Sequence, residues 1–403
     1  MWAGATVSAA GDSASWVALV ALSLGSAHAS LPVLVALYTA PVAIGGLGAG
    51  WALDHFDRRK VMIADSLLRG AAFASIPIAA VFGGLGAGQL YAVAVVYGLL
   101  KMIGLAGFPA LIPSLVSDEQ IDQANALEGV TFGLATLVGA GLAGLAVATI
   151  GPAPVVAVDA ASYLVMALSL WSVRALSPPA RRPVPARSPV PARAPAPAAT
   201  SFRAVVRLAA TNPVLRDTTI MFALFNVGEG MLLVFLPHRA AELGLGSGGY
   251  GFLVAATTSG QLLAAGLLAR HTWKAPLRAS IVVAQITAAV LVLLLTVRST
   301  AVTVAALVAM GICTAPMTAW AQSLRMRLVP PGAHGRLFAL LRTAMQATPP
   351  AGAGLAALTL TRGTLTAVAA VAAVMGLPAL ILAHNLMTAE TDAGHEHMTE
   401  LFL

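Results

Sequence analysis

The chain has 403 residues, of which 58% are apolar and only 10% are charged, and its formal net charge is +7. A water-soluble protein of this composition could not cover its surface with polar groups, so a soluble globular protein is excluded. The single cysteine, Cys313, excludes an intrachain disulfide and a cysteine metal cluster.

Long apolar segments with almost no charge recur from the first residues to about residue 386. Each has about 20 residues, the length that a helix needs to cross the hydrocarbon core of a bilayer. Backbone polar groups in lipid must be satisfied internally, and the two-residue alternation of a barrel is missing from the sequence. We therefore predict an all-α polytopic membrane protein with twelve transmembrane helices. The predicted spans are 3–24, 31–53, 61–82, 88–110, 126–149, 152–173, 216–237, 248–269, 277–297, 301–323, 337–359 and 364–386.

A segment rich in Pro and Arg, RALSPPARRPVPARSPVPARAPAPAAT, separates predicted helices six and seven. Its composition favours a solvated tether, with a ligand for a peptide-binding domain as the alternative. The predicted units are an N-terminal six-helix bundle at 1–173, a cytoplasmic linker at 174–213, a C-terminal six-helix bundle at 214–387 and an acidic cytoplasmic tail at 388–403. Two six-helix halves are typical of a duplicated transporter with its site between the halves.

The distribution of Lys and Arg predicts the orientation. Basic residues concentrate in the loops on the side of the linker, whereas the opposite loops hold Arg239, Arg298 and Arg362. The positive-inside rule then places both termini in the cytoplasm. The excess of basic residues is thus interpreted as a signal for orientation in the membrane and not for nucleic-acid binding. The first basic residue is Arg58, so a cleaved signal peptide is not expected. Abundant Ala and Gly, with Arg exceeding Lys, favour a bacterial inner (plasma) membrane.

Charge is concentrated in GWALDHFDRRK, residues 50–60, between predicted helices two and three. This stretch resembles the loop 2–3 motif of the major facilitator superfamily, Gly-x-x-x-Asp-(Arg/Lys)-x-Gly-(Arg/Lys)-(Arg/Lys). His55 and Asp57 depart from it. The matching positions are Gly50, Asp54, Arg58 and Arg59.

This stretch, with its continuation, and two stretches further along the chain are similar to the branch of that superfamily containing siderophore and macrolide exporters. They are DHFDRRK continued by Asp65 and Arg69, FPALIPSLVSDEQIDQANAL (108–127), and LVPPGAHGRLFAL (328–340). The resemblance implies a cytoplasmic gate. In it, Asp54 would lie near the start of helix eleven, Gly50 would let helices two and eleven approach, and Arg58 and Arg59 would complete a charge cluster.

Ionisable residues occupy the middle of three predicted helices: Asp12 in helix one, Lys101 in helix four and Glu229 in helix seven. Such groups are costly in lipid and therefore indicate function. The resemblance implies that helices one, four, seven and ten line the central cavity. We interpret Glu229, or else Asp12, as a proton carrier near Lys101. The alternative is a permanent ion pair that fixes the bundle.

Other residues complete the candidate site. Side chains that could line a substrate cavity, with core packing as the alternative, are Asn226, Trp320, Gln322, Trp16 and Phe225. Small residues in helix five permit sliding helix contact and resemble the exporters' antiporter motif, although Ala140 replaces its Pro. These hinge residues are Gly139, Gly141 and Gly144. Asp159 in helix six is interpreted as peripheral and locally paired.

The sequence thus predicts a secondary active transporter that performs proton-coupled efflux of a small amphipathic molecule (drug, secondary metabolite or siderophore). The expected partners are that substrate, protons and the lipid bilayer, without nucleic acid, an obligate protein partner, a metal or a cofactor. A lysophospholipid flippase or an importer of the same fold is the first alternative. A non-transporting sensor or an intramembrane enzyme is the second. The enzyme lacks support because no HExxH, GxSxG, CxxC or P-loop pattern occurs.

Overall fold

A computed structural model describes residues 2–26, 28–111, 121–172, 207–208, 210–246, 248–270, 275–328, 341, 345 and 347–388. These residues form twelve α-helices and one short 3-10 turn, Leu294–Thr296. The first six helices are α1 (Trp2–Gly25), α2 (Leu31–His55), α3 (Arg58–Val81), α4 (Ala87–Leu111), α5 (Ile121–Ile150) and α6 (Pro152–Ser172). The second six are α7 (Pro213–Glu242), α8 (Gly249–Arg270), α9 (Leu277–Leu293), α10 (Thr300–Leu328), α11 (Pro349–Leu360) and α12 (Thr364–Thr388).

Ten of these helices are long and apolar enough to cross a membrane. The helical architecture and the order of the helices therefore agree with the prediction. Most of the helices are longer than their predicted spans, and α5 and α7, with 30 residues each, are the longest. Hydropathy marks only the apolar part of a helix, whereas the helix itself continues through flanking polar residues until a cap or a turn ends it. The predicted start of helix eleven, the linker and the tail lie largely outside the described residues.

Local chemistry explains several helix ends. The Asp57 carboxylate accepts a 3.0 Å hydrogen bond from the backbone N–H of Lys60, so Asp57 caps the start of α3. The side chain of Asn212 caps α7 in the same way, at 3.0 Å from the N–H of Leu215. Gly151 is the one residue between α5 and α6, and its φ of +85° is a conformation that favours glycine. The sharp turn there keeps α5 and α6 antiparallel.

The helix packing of the first half recurs in the second half. In the first, α1 packs on α5 and α6, α3 on α4 and α6, and α2 on α4. In the second, α7 packs on α11 and α12, α9 on α10 and α12, and α8 on α10. Each pair therefore reappears six helices later, which is the pattern of an internally repeated transporter. The main contacts between the halves are those of α5 with α8 and of α2 with α11, and smaller ones join α2 to α7 and α1 to α8.

Glycines in α5 allow close contact on two sides of this helix. A Cβ at Gly139 would overlap the carbonyl oxygen of Ala10 in α1. A Cβ at Gly144 would come within 2.5 Å of the carbonyl oxygen of Gly248, at the start of α8. Gly141 faces Ala255 of α8 at an ordinary contact distance, 3.6 Å from a Cβ placed there. The three residues predicted as a hinge thus lie where α5 meets its neighbours, and the sliding itself stays a prediction.

Candidate functional site

A cavity of about 380 Å³ lies inside the first half and reaches the boundary with the second. Its walls come from α1 to α6, and the second half contributes only Leu233 of α7 and Val254 of α8 among the described residues. All its charged lining side chains therefore belong to the first half. They are Asp12, Asp65, Arg69 and Lys101.

The cavity extends towards one side of the bundle. Its lining includes Ala5 near the start of α1, Met62 near the start of α3, and Phe108 and Met166 near the ends of α4 and α6. Because consecutive helices alternate in direction, these four ends lie on the side where α1 begins, which we call the terminus side. At the opposite side the halves are in close backbone contact, between Gly144 and the start of α8.

Arg69 of α3 is the centre of a buried charge network. Its guanidinium donates to both carboxylate oxygens of Asp65, with Nε 3.1 Å from Oδ1. Its Nη1 lies 3.5 Å from Oδ2 of Asp12 and donates a 3.3 Å hydrogen bond to the hydroxyl of Tyr163. That hydroxyl in turn donates to Oδ1 of Asp12. Such complete pairing is what permits charges to be buried in a membrane.

Exposure differs sharply within this network. The side chains of Asp65 and Arg69 are 2% and 7% exposed, whereas that of Asp12 is 24% exposed. Both acids line the cavity, and Asp12 is the more exposed of the two. It can exchange a proton or contact a cationic group, while Asp65 and Arg69 hold each other in place.

Aromatic rings form the deeper wall. Trp16 lies against Tyr38 with ring centroids 4.2 Å apart, and Tyr38 stacks on Tyr97 at 4.4 Å. The Nζ of Lys101 lies 5.6 Å from the centroid of Tyr38 and 5.8 Å from that of Tyr97, within the range of cation–π attraction. This wall can accept the apolar body of a ligand beside a charged group.

Three of the predicted cavity residues, Asp12, Lys101 and Trp16, line this cavity. The other five do not belong to its described lining. Phe225 is buried, the amide of Asn226 donates to the carbonyl of Phe222 in its own helix at 2.8 Å, and Gln322 is exposed. The remaining two are Glu229 and Trp320.

Glu229 is half-buried on α7, between two glycines that hold neighbouring helices of the second half. Gly228 packs against Met375 of α12, and Gly230 against Pro349 of α11. Within the described residues Glu229 has no hydrogen-bonding partner and no ion pair. The structure therefore does not bring Glu229 together with Asp12 and Lys101 in one cavity.

Sequence reasoning missed the tyrosines and the central role of Arg69. Only five tyrosines occur in the chain. Four of them take part in the site: Tyr163 lies in the charge network, Tyr38 and Tyr97 form the aromatic wall, and Tyr250 bonds to Trp16 of that wall. Their scarcity was one available signal. The other was the spacing of Asp65 and Arg69, which puts opposite charges on one face of an apolar helix.

The structure describes three of the four residues of the predicted gate motif in full. The guanidinium of Arg59 donates to the carbonyls of Leu170, at 2.6 Å, and Trp171, and so places a positive charge at the C-terminal end of α6. Arg58 donates from Nε to the carbonyl of Leu53 at 3.4 Å. Gly50 is exposed on α2. The side chain of Asp54 and the predicted start of helix eleven fall outside the description, so their contact stays a prediction.

Known proteins resemble the chain in sequence. A sequence profile of the Major Facilitator Superfamily matches residues 1–270 and 218–397. The multidrug efflux pump Tap of Mycobacterium tuberculosis is 31% identical over 178 residues, which are 42% of this chain and 42% of the pump. The enterobactin exporter EntS of Citrobacter koseri is 24% identical over 236 residues, 57% of this chain and 54% of the exporter. The chain thus spans about half or less of the length of these curated relatives.

Solved structures share the fold. The nucleoside transporter NupG superposes with a TM-score of 0.67 at 11% identity, covering 96% of this chain and 98% of NupG. A bacterial homologue of the human lysosomal transporter Spinster, in an inward-facing and unoccupied conformation, gives 0.62 at 15% identity, covering 100% and 96%. At these identities the likeness shows the common architecture alone.

Proposed function

We propose that this chain, which belongs to the Major Facilitator Superfamily, exports a small amphipathic molecule by alternating access and takes up protons in return. The family and the fold make it a multi-pass membrane transporter and not an enzyme. Efflux is supported by the relatives named as a multidrug pump and an enterobactin exporter. The substrate and the coupling to protons are our proposal.

The observation that carries the proposal is the cavity, which sets the reachable carboxylate of Asp12 beside the rings of Trp16, Tyr38 and Tyr97. Its volume of about 380 Å³ falls within the range of small-molecule sites, roughly 300–1,000 Å³. Aromatic faces suit an apolar ligand body, and a carboxylate beside them suits a cationic or hydrogen-bonding group. An amphipathic substrate is the class that uses both.

The direction of transport is supported by the side on which the cavity lies. If the termini are cytoplasmic, as the loop charges predict, the cavity extends towards the cytoplasm in this conformation. A cargo would then be collected from inside the cell. The close contact of α5 and α8 at the opposite side would open for its release.

Asp12 is the acid that we propose exchanges the proton with the cavity. Its support is its position, because it lines the cavity and is partly exposed, while Asp65 is enclosed by Arg69. Protonation of Asp12 would remove one charge from the network, and binding of a cationic substrate would favour the ionised form. The two events therefore compete, which is a requirement for exchange of substrate and proton.

The test uses inside-out vesicles that hold a pH-sensitive dye and an acid interior. Hydrophobic cations, macrolide-like compounds, siderophores and lysophospholipids are added to wild type, Asp12→Asn and Glu229→Gln. Glu229→Gln is the matched control, because Glu229 is an intramembrane acid outside the cavity. We expect substrate-dependent proton release from wild type and the control, and loss of at least tenfold in its rate for Asp12→Asn, since proton transfer lacks its acceptor (~1.4 kcal/mol per tenfold).

Release by Asp12→Asn with loss in Glu229→Gln would move the proton site to α7. Transport of a compound without any proton release would contradict proton coupling. If lysophospholipid were the only compound transported, the cargo would be a lipid and not a drug-like amphipathic molecule.

A further inference from the structure

Asp159 of α6 is a membrane acid for which the cavity provides no role. Its exposed fraction is 0%, and it does not belong to the described lining of the cavity. One carboxylate oxygen, Oδ1, accepts a 2.9 Å hydrogen bond from the hydroxyl of Ser162. The other, Oδ2, is buried without a hydrogen-bonding partner in the described part of the chain. No ion pair joins Asp159 to a described cation.

A carboxylate in this position would be an uncompensated charge inside the membrane. The cation that acts on Asp159, Arg69, is engaged by Asp65 and Asp12. The cost of burying a charge without a counter-ion is normally avoided by protonation. The geometry therefore favours the neutral acid at Asp159.

Helix α1 lies directly against this carboxyl group. A Cβ at Gly11 would overlap Oδ1 of Asp159 and come within 2.7 Å of the hydroxyl oxygen of Ser162. The next residue along α1 is Asp12, the more exposed of the two acids that line the cavity. Ser15, one turn further, is fully buried, and its hydroxyl acts on Asp159 from α1. The carboxyl group of Asp159 thus lies between polar groups of α1 and α6, beside Asp12.

The groups that act on Asp159 come from four helices. They are Asp12 and Ser15 from α1, Tyr38 from α2, Arg69 from α3, and Ser162 and Tyr163 from α6 itself. Asp12 opposes a second negative charge at Asp159, and Arg69 compensates only in part because it already binds two acids. A negative charge nearby disfavours a second ionised acid, so the neutral form is favoured at Asp159.

We propose that Asp159 stores the transported proton and that Asp12 is its point of exchange with the cavity. In the transfer, the O–H bond on Asp159 breaks and an O–H bond forms on Asp12, directly or through the Ser15 hydroxyl. Asp159 is left as a carboxylate that the hydroxyls of Ser162 and Ser15 can solvate. This inference rests on the proposed proton coupling, but the proton on Asp159 can be tested without transport.

The first measurement is the infrared spectrum of the purified protein in nanodiscs at neutral pH. We expect the difference between wild type and Asp159→Asn to contain the C=O band of a protonated carboxyl group. The matched control is Asp217→Asn, because Asp217 is also a buried acid with an unpartnered Oδ2 but has Arg216 at 2.8 Å. Its difference spectrum should contain carboxylate bands only. Carboxylate bands for Asp159 as well would overturn the proposal.

The second measurement separates storage from a structural proton. Asparagine has the size of the neutral acid, so Asp159→Asn should keep substrate exchange between the two sides of a vesicle membrane. It should lose substrate-dependent proton release by at least tenfold. Unchanged release would show that the proton stays in place during transport, and would overturn the storage role.

Two further outcomes are distinguishable. If wild type moves a substrate without proton release, the proposed coupling fails and the storage role with it, while the infrared difference still reports whether Asp159 is protonated. If Asp159→Asn does not fold, Asp159→Glu is measured in its place. If the frequency of the carboxyl C=O band differs between wild type and Asp159→Glu, the band belongs to Asp159 and the assignment is supported. An unchanged frequency contradicts the assignment.

Discussion

The indole N–H of Trp16 in α1 donates a 2.6 Å hydrogen bond to the hydroxyl of Tyr250 in α8, and so joins the two halves of the molecule. Both residues are buried, with exposed fractions of 9% and 4%. Trp16 also packs against Tyr38 in the wall of the cavity, with the two ring planes tilted by 38°. The bond therefore connects the cavity wall to the contact that closes the opposite side.

Tyr250→Phe should weaken that closed contact. It removes the acceptor and leaves the indole N–H buried without a partner, which costs about 1–3 kcal/mol. The penalty applies only to the closed state, so the open state should gain population by roughly fivefold or more. Spin labels at the exposed positions Phe82 and Arg298, in a background with Cys313 replaced by Ala, would report the distance across this side.

The expected result is a larger fraction of long distances in Tyr250→Phe. Tyr91→Phe is the control, because the hydroxyl of Tyr91 accepts from the backbone N–H of Ser30 and this bond lies within the first half. Equal distance distributions in Tyr250→Phe and wild type would show that the bond does not hold the halves together.

Gly144→Ala should also disturb the closed side. The added Cβ would come within 2.5 Å of the Gly248 carbonyl oxygen and 3.4 Å of the Phe252 nitrogen, so α5 and α8 must separate. Overpacking of this kind costs about 1–3 kcal/mol. We expect a lower melting temperature and slower transport. Gly88→Ala in α4 is the control, since no described atom lies within 4 Å of the new Cβ. Equal melting of both variants would contradict the close contact.

Hydropathy could predict the helices because each span must match the thickness of the bilayer. Hydropathy therefore locates a residue along its helix, but it does not show which side of the helix that residue occupies. Helices that are apolar nearly all round give little indication of the face that meets a cavity. This is why the sequence favoured Glu229 over Asp12 as the proton carrier, both residues being in mid-span, although of the two only Asp12 lines the cavity.

Asp159 shows the same limit from the other direction. The sequence suggested a peripheral residue with a local partner, and the Ser162 hydroxyl is indeed local. Its complete burial follows from Gly11, which lets the α1 backbone press on the carboxyl group. A single glycine far away in the sequence cannot be assigned to such a contact before the helices are packed. The Tyr163 bond to Asp12 was unpredictable for the same reason.

Glu242→Gln should destabilise the opposite side of the second half. Arg239, 1% exposed, donates to Oε2 of Glu242 at 2.6 Å and to the carbonyl of Val297, and the hydroxyl of Thr364 donates to Oε1. The Glu242 carboxylate thus links α7 to α12, and Arg239 also contacts the turn before α10. Removing its charge leaves a buried guanidinium without a counter-ion, at a cost of about 3–5 kcal/mol.

Thermal unfolding in detergent would measure this loss. The comparison is Thr364→Val, which removes one hydrogen bond but keeps the ion pair, and should cost only about 1 kcal/mol. Similar losses in both variants would contradict a dominant role for the ion pair.

Removal of the charges at Asp65 and Arg69, singly and together, separates their effect on stability from their effect on transport. Arg69→Ala leaves Asp65 buried without its cation and should cost about 3–5 kcal/mol, whereas the double variant Asp65→Ala/Arg69→Ala removes both charges and should recover part of that loss. Arg69→Lys keeps the charge but cannot reproduce the two-point contact with Asp65, so its stability should fall between that of wild type and Arg69→Ala. Thermal unfolding is measured for the double variant and for each single variant, Asp65→Ala included. If the stability losses of the two single variants add up in the double variant, the two residues do not interact. Since Arg69 also holds Asp12, the double variant should remain impaired in transport even where its stability recovers.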